Sequence, residues 1–263
     1  MIRFPATLSR LVVALVCLAA VHAAPAAAWE RFGIVLLHGK TGGPGQFTQL
    51  ARDLTDMGYL VEVPELCWSA RRIYDRSFTG CFEDIDNAVA ILENDGAEGI
   101  IVAGHSLGGV GALAYAANRT GISGVIALAP AGDPVAFGKI PVIAKSIKKA
   151  RAAVAKNEDD VVETFNDFVL GKALPVRATA ADFLTFFGPD SPGVMTTTLP
   201  ALKAPLLWVA GTRDSSQRNA ASLFAMAPKT PHNQLVKVNA GHLGTPSAAF
   251  DAILDWLDEI EPQ

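Results

Sequence analysis

A serine held between glycines, in the string Gly104-His105-Ser106-Leu107-Gly108, is the residue of this chain best placed to act as a nucleophile. An apolar run over residues 99–104 reads as a buried strand, and residues 106–118 carry on as a helix. In so tight a strand-to-helix turn the flanking positions must be nearly free of side chain, and the serine projects at the positive end of the helix. Its hydroxyl needs a base to take the proton and a carboxylate to hold that base. Asp214, in GTRD, follows the apolar run 204–211, and His242, in AGHLG, follows the run 233–238. In an open α/β sheet such positions share the carboxyl edge of the strands. Ser106, Asp214 and His242 therefore read as nucleophile, acid and base, and the chemistry as acyl transfer. Asp133, after the run 124–130, is the competing acid, and its other reading is a helix cap. The other histidines are less suited to the base. His105 sits inside the turn, His232 lies in a polar loop, and His22 lies in the leader described below.

A developing oxyanion needs two backbone N–H groups. Leu107, directly after the serine, offers one, and Lys40, in LLHGKTGGPG after the run 32–37, offers the other. The glycines of that loop lack the G-x-x-x-x-G-K-[ST] spacing of a phosphate cradle.

The elements that must position these residues alternate. Short apolar runs at 32–37, 59–63, 99–104, 124–130, 204–211 and 233–238 are separated by stretches of helical spacing. Connections of that length require crossovers, hence a mostly parallel sheet of about six strands flanked by helices. Residues 133–200 break the rhythm and read as a helical cap inserted before the acid-bearing strand, with helices expected over 139–156 and 159–170. Phe183, Phe186 and Phe187 in that cap are expected to wall an apolar acyl pocket or to pack the cap onto the core. Lys145, Lys148, Lys149 and Lys156 form a basic helix face that can rest on an anionic membrane. With Glu158, Asp159 and Asp160 nearby, a solvated face is the reading taken.

From residue 32 onward the chain resembles the α/β-hydrolase superfamily, in the HG loop, the GHSLGG turn, the GTRD acid turn and the GH histidine turn, in that order. The resemblance implies Ser106, Asp214 and His242 as the triad, the N–H groups of Lys40 and Leu107 as the oxyanion hole, and no metal or organic cofactor. It transfers a mechanism and no substrate. A carboxylic ester is the expected substrate. The alternatives are a peptidase or amidase on small substrates, or a non-catalytic binding protein on the same fold. The single glycine directly after His38 departs from the HGGG type of esterase.

The amino terminus has a secretory pattern. Arg3 and Arg10 precede an apolar run over 11–21, and Ala26 and Ala28 set an A-x-A cleavage site, so residues 1–28 are expected as a signal peptide and 29–263 as the exported hydrolase domain, periplasmic or secreted. Cys67 and Cys81 are then the two thiols of the mature chain and are expected to pair. A formal net charge of −4 argues against nucleic acid as a partner, since its binders carry a concentrated basic surface.

Overall fold

Apolar runs that leave no polar face need cover on both sides, and this chain supplies it. The computed structural model describes residues 32–169 and 171–260; the leader expected over residues 1–28 lies outside them. The strands are β1 (Phe32–Leu37), β2 (Leu60–Glu62), β3 (Gly99–His105), β4 (Ile122–Leu128), β5 (Val162–Val169), β6 (Lys172–Thr179), β7 (Leu206–Gly211) and β8 (Gln234–Val238). Six of them form one parallel sheet in the order β2-β1-β3-β4-β7-β8. Apart from shorter turns, the helices are α1 (Thr48–Asp56), α2 (Phe82–Asn94), α3 (Leu107–Asn118), α4 (Pro141–Val154), α5 (Ala180–Phe187) and α6 (Phe250–Ile260).

Every residue of β1 is buried. Ile34 and Leu36 pack in one layer with Leu50 and Leu54 of α1 and Ile253, Trp256 and Leu257 of α6. Val35 and Leu37 point the other way, into a layer with Ile85 of α2 and Val110 and Leu113 of α3. This two-residue alternation between two apolar layers is what the uninterrupted FGIVLL run provides. The chain passes from β1 to β2 on one side and then to β3 on the other, and such a reversal opens a crevice beyond the carboxyl ends of β1 and β3. The loop bearing Lys40 and the turn bearing Ser106 emerge there.

The insertion between β4 and β7 is not all helical. Within residues 159–170, expected as a second helix, Val162–Val169 instead form β5, which pairs antiparallel with β6 from Val162↔Thr179 to Val169↔Lys172. The run is rich in β-branched and aromatic residues (Val161, Val162, Thr164, Phe165, Phe168, Val169), which suit a pleated surface. Phe165 and Asp167 are buried from one strand, Val176 and Ala178 from the other, a spacing of two rather than 3.6. Gly171, at φ +82°, makes the left-handed turn between them. Phe183 of α5 stacks on Phe165 at 4.6 Å, and Phe186 meets Tyr74 at 4.5 Å and Phe78 at 5.2 Å.

Tyr74 and Phe78 belong to the segment after β2. Cys67 and Cys81 there are fully buried, their Cα atoms 5.5 Å apart, and form a disulfide. A cross-link closing a loop of this size contributes about 3 kcal/mol in the chain-entropy account. Trp68 Nε1 donates to the His38 carbonyl at 2.9 Å, and Arg72 donates to both Asp75 and Asp84 at 2.8 Å. The segment is a packed platform beneath the insertion.

Candidate active site

The turn between β3 and α3 is built by exclusion. A Cβ on Gly104 would lie 2.1 Å from the Gly108 carbonyl oxygen, and one on Gly108 would lie 2.0 Å from that of Leu37. Neither position can hold a larger residue without moving backbone. Ser106 sits at φ 57°, ψ −120°, a strained conformation for a residue with a side chain. It is held there by its N–H to the Leu128 carbonyl (3.1 Å) and by its own carbonyl, which accepts from Val110 (3.2 Å) and Ala131 (3.1 Å).

The strain aims the hydroxyl. Ser106 Oγ lies 2.9 Å from His242 Nε2, and His242 Nδ1 lies 2.6 Å from Asp214 Oδ2. Asp214 Oδ1 is occupied by Ser216, which donates from its backbone N–H (2.9 Å) and its hydroxyl (2.7 Å). Burial works to raise the pKa of the Asp214 carboxyl, but the hydrogen bonds from His242 and Ser216 together outweigh it and hold the pKa below its ordinary value. An ionised Asp214 fixes the His242 proton on Nδ1, leaving Nε2 to accept from Ser106. The three residues named from the sequence thus stand in one hydrogen-bonded row. Asp133 stands apart from it. Its Oδ1 accepts from the N–H groups of Val135 and Ala136 and its Oδ2 from Met195, so it caps the turn Pro134–Phe137 and ties it to residue 195.

Leu107 is the first residue of α3, so its N–H is among the helix donors with no intrahelical acceptor. On the other side, the amides flanking Lys40 are committed, Gly39 N–H to Gln46 Oε1 and Thr41 N–H to the Trp68 carbonyl, both at 2.9 Å. These bonds fix the loop that carries the Lys40 N–H.

The Lys40 side chain has a role that no local pattern announced. Its Nζ lies 2.8 Å from Asp167 Oδ1 of β5, with side-chain exposures of 10% and 0%, and 4.2 Å from the centre of the Phe137 ring. Burial draws the ammonium pKa below its ordinary value, and the Asp167 carboxylate opposes this. Tyr74 Oη donates to Asp167 Oδ2 at 2.6 Å; burial first and the carboxylate second push its pKa well up, so it remains a donor. Removing one partner from such a buried group leaves the other charge without compensation. Asp167→Ala should therefore lower the unfolding free energy by about 3–5 kcal/mol in urea titration, and Lys40→Met combined with Asp167→Leu should recover most of it. A loss under about 1 kcal/mol for Asp167→Ala would show the pair to be solvent-screened.

His105 and Gln46 complete the support. Gln46 takes the Gly39 N–H on Oε1, which fixes its amide, and Nε2 donates to His105 Nδ1 at 2.7 Å. His105 Nε2–H then donates to the His242 carbonyl at 2.9 Å. The chain of bonds requires neutral His105. Burial, reinforced by the nearby His242 ring, lowers its pKa to about 4. The folded state therefore resists a proton that the unfolded chain takes up near pH 6.5. This penalty is absent above that pH and grows as pH falls toward 4, where it reaches about 3 kcal/mol. The stability difference between the wild type and His105→Gln should shrink by roughly 2–3 kcal/mol between pH 7.5 and 4.5. A difference independent of pH would contradict the assignment.

A cavity of about 270 Å³ opens over Ser106, walled by Phe137, Phe168, Val169 and Leu243 beside the polar groups of the site. Phe183, Phe186 and Phe187, expected as candidate pocket walls, do not line it. They are nearly fully buried and join the insertion to Tyr74, Phe78 and Phe165. Their buried face is on the core side of α5, whereas the hairpin that the sequence reading missed supplies Phe168 and Val169.

The parallel sheet, the turn after β3 and the carboxyl-edge site define an α/β hydrolase. The chain belongs to the family described as serine aminopeptidase, S33, whose model matches residues 30–184. That match includes Ser106 and the Lys40 loop and ends before Asp214 and His242. Among solved structures the fold is similar to a monoacylglycerol lipase of Paleococcus ferrophilus (21% identity, 87% of this chain and 95% of that one, TM-score 0.64). It is also similar to a structure from work on the metagenome-derived lipolytic enzymes LipS and LipT (19%, 88% and 95%, 0.63) and to Est1E of Butyrivibrio proteoclasticus with ferulic acid bound (16%, 89% and 92%, 0.59). No curated protein sequence matches the chain. Among the described residues no helix is long and apolar enough to cross a membrane, and no cluster of His, Cys, Asp or Glu is suited to a metal ion.

Proposed function

We propose that this α/β hydrolase cleaves carboxylic esters through an acyl-enzyme on Ser106. The row Ser106 Oγ–His242 Nε2–Asp214, at 2.9 and 2.6 Å beneath an apolar cavity, carries the reading. Ser106 Oγ attacks the ester carbonyl carbon as its proton passes to His242 Nε2. The carbonyl oxygen becomes an oxyanion facing the N–H groups of Leu107 and Lys40. The tetrahedral adduct expels the alcohol, whose oxygen takes the proton from Nε2. Water, deprotonated at the same nitrogen, then attacks the acyl carbon, and the carboxylic acid leaves with Ser106 restored.

The family's description raises a second reading, hydrolysis of amino-terminal peptide bonds. An aminopeptidase must hold the substrate ammonium, for which a carboxylate is the natural partner. Among the described residues lining the Ser106 cavity there is no Asp or Glu, and the nearest cation, Lys40, has the wrong sign. This favours the ester. Initial rates on p-nitrophenyl esters and on aminoacyl p-nitroanilides test the choice; faster anilide cleavage would reverse it.

Export belongs to the same proposal. The basic and apolar leader with its A-x-A site supports it, and the buried Cys67–Cys81 bridge suits an oxidising compartment. The amino-terminal sequence of the mature protein, expected to begin at Trp29, checks it.

A further inference from the structure

A second depression, of about 600 Å³, adjoins the cavity over Ser106. The two share Thr41 and Val169 as walls. Ala70 and Ile73 of the disulfide-bonded platform form one side of it, and Ala173 and Leu174 of β6 join Val169 of β5 on the other. Only Lys172 among its lining residues carries charge. Resting on the ester-hydrolase reading above, we infer that this groove seats the acyl arm of the substrate, and that the preferred esters carry an unbranched apolar acyl chain too long for the Ser106 cavity alone.

Three observations carry the assignment. The first is adjacency, since Thr41 and Val169 line both the cavity over Ser106 and the groove. The second is direction. The alcohol oxygen must lie at His242 Nε2 to take its proton, and His242, Leu243 and Ser216 line the Ser106 cavity but not the groove. The groove is therefore left to the acyl side. The third is pre-formation of the wall. Ile73 lies at φ +41° and Tyr74 at φ +59°, left-handed conformations that β-branched and aromatic residues rarely adopt. They persist because neighbours over-determine them. Ile73 N–H donates to Ser69, Tyr74 N–H to the Cys67 carbonyl beside the disulfide, and Tyr74 Oη to Asp167. Backbone strain of this kind collects at ligand clamps, and here it sets Ile73 partly exposed on the groove wall.

The test is kcat/KM across p-nitrophenyl esters from acetate to dodecanoate and, separately, across alkyl acetates from methyl to octyl. Wild type should gain about fourfold per methylene seated in the groove, the equivalent of about 0.8 kcal/mol, in the acyl series only. Ala70→Trp and Ala173→Trp fill the groove from opposite sides at exposed positions outside the catalytic row. Each should flatten the acyl profile, bringing the ratio of dodecanoate to acetate kcat/KM down from the wild-type value. A profile that both filled variants share with wild type overturns the groove, and length dependence confined to the alkyl acetates overturns its assignment to the acyl arm. Absence of any ester hydrolysis by wild type overturns the ester reading itself, which keeps the two failures distinct.

Discussion

Ser106→Ala should reduce ester turnover by about a millionfold, the scale on which removal of a nucleophile acts in a serine hydrolase. The variant should remain folded. The Ser106 side chain makes one hydrogen bond, to His242 Nε2, whereas the bonds that hold the turn come from its backbone N–H and carbonyl and survive the change. The melting temperature should stay near that of wild type while activity disappears. A folded Ser106→Ala protein with near-normal turnover would mean that another group attacks the ester.

Asp214→Asn carries the second largest expected effect, about 10⁴-fold in kcat with little change in KM. The amide can still accept from Ser216 on one atom, but its NH₂ then faces His242 Nδ1 and reverses the tautomer that the carboxylate imposes. The base is left with its proton on the nitrogen that should accept one. Asp133→Asn is the matched control. Asp133 serves the turn Pro134–Phe137 and the Met195 amide, so its replacement should cost about 1 kcal/mol of stability or less and leave kcat alone. A reversed pair of results would assign the acid to the end of β4.

The core of the site was legible because its constraints are local. Gly104 is dictated by the Gly108 carbonyl four residues on, and Asp214 and His242 each follow the end of an apolar strand by a few residues. Ser216 and Gln46, which hold Asp214 and the Lys40 loop, are ordinary polar residues whose side chains gave no sign of their partners. His105 shows in the sequence only as a residue inside the turn, and its bond to the His242 carbonyl spans 137 residues. The Lys40–Asp167 pair spans 127 residues and joins a loop to a hairpin that was itself misread. That misreading has a physical origin. An isolated run such as 161–169 carries helical and two-residue periodicities at once, and the pairing with β6 that decides between them exists only after Gly171 turns the chain back. The three phenylalanines of α5 are buried; which surface they face depends on where the insertion docks, and the sequence holds no local record of that.

The central claim is that Ser106 is an activated nucleophile, and reaction with a fluorophosphonate tests it most directly. Intact-mass and peptide analysis should find one phosphonyl adduct, on Ser106, formed at a rate that falls sharply in His242→Ala and to nothing in Ser106→Ala. No adduct on folded wild-type protein, or an adduct on another residue that persists in Ser106→Ala, would contradict it.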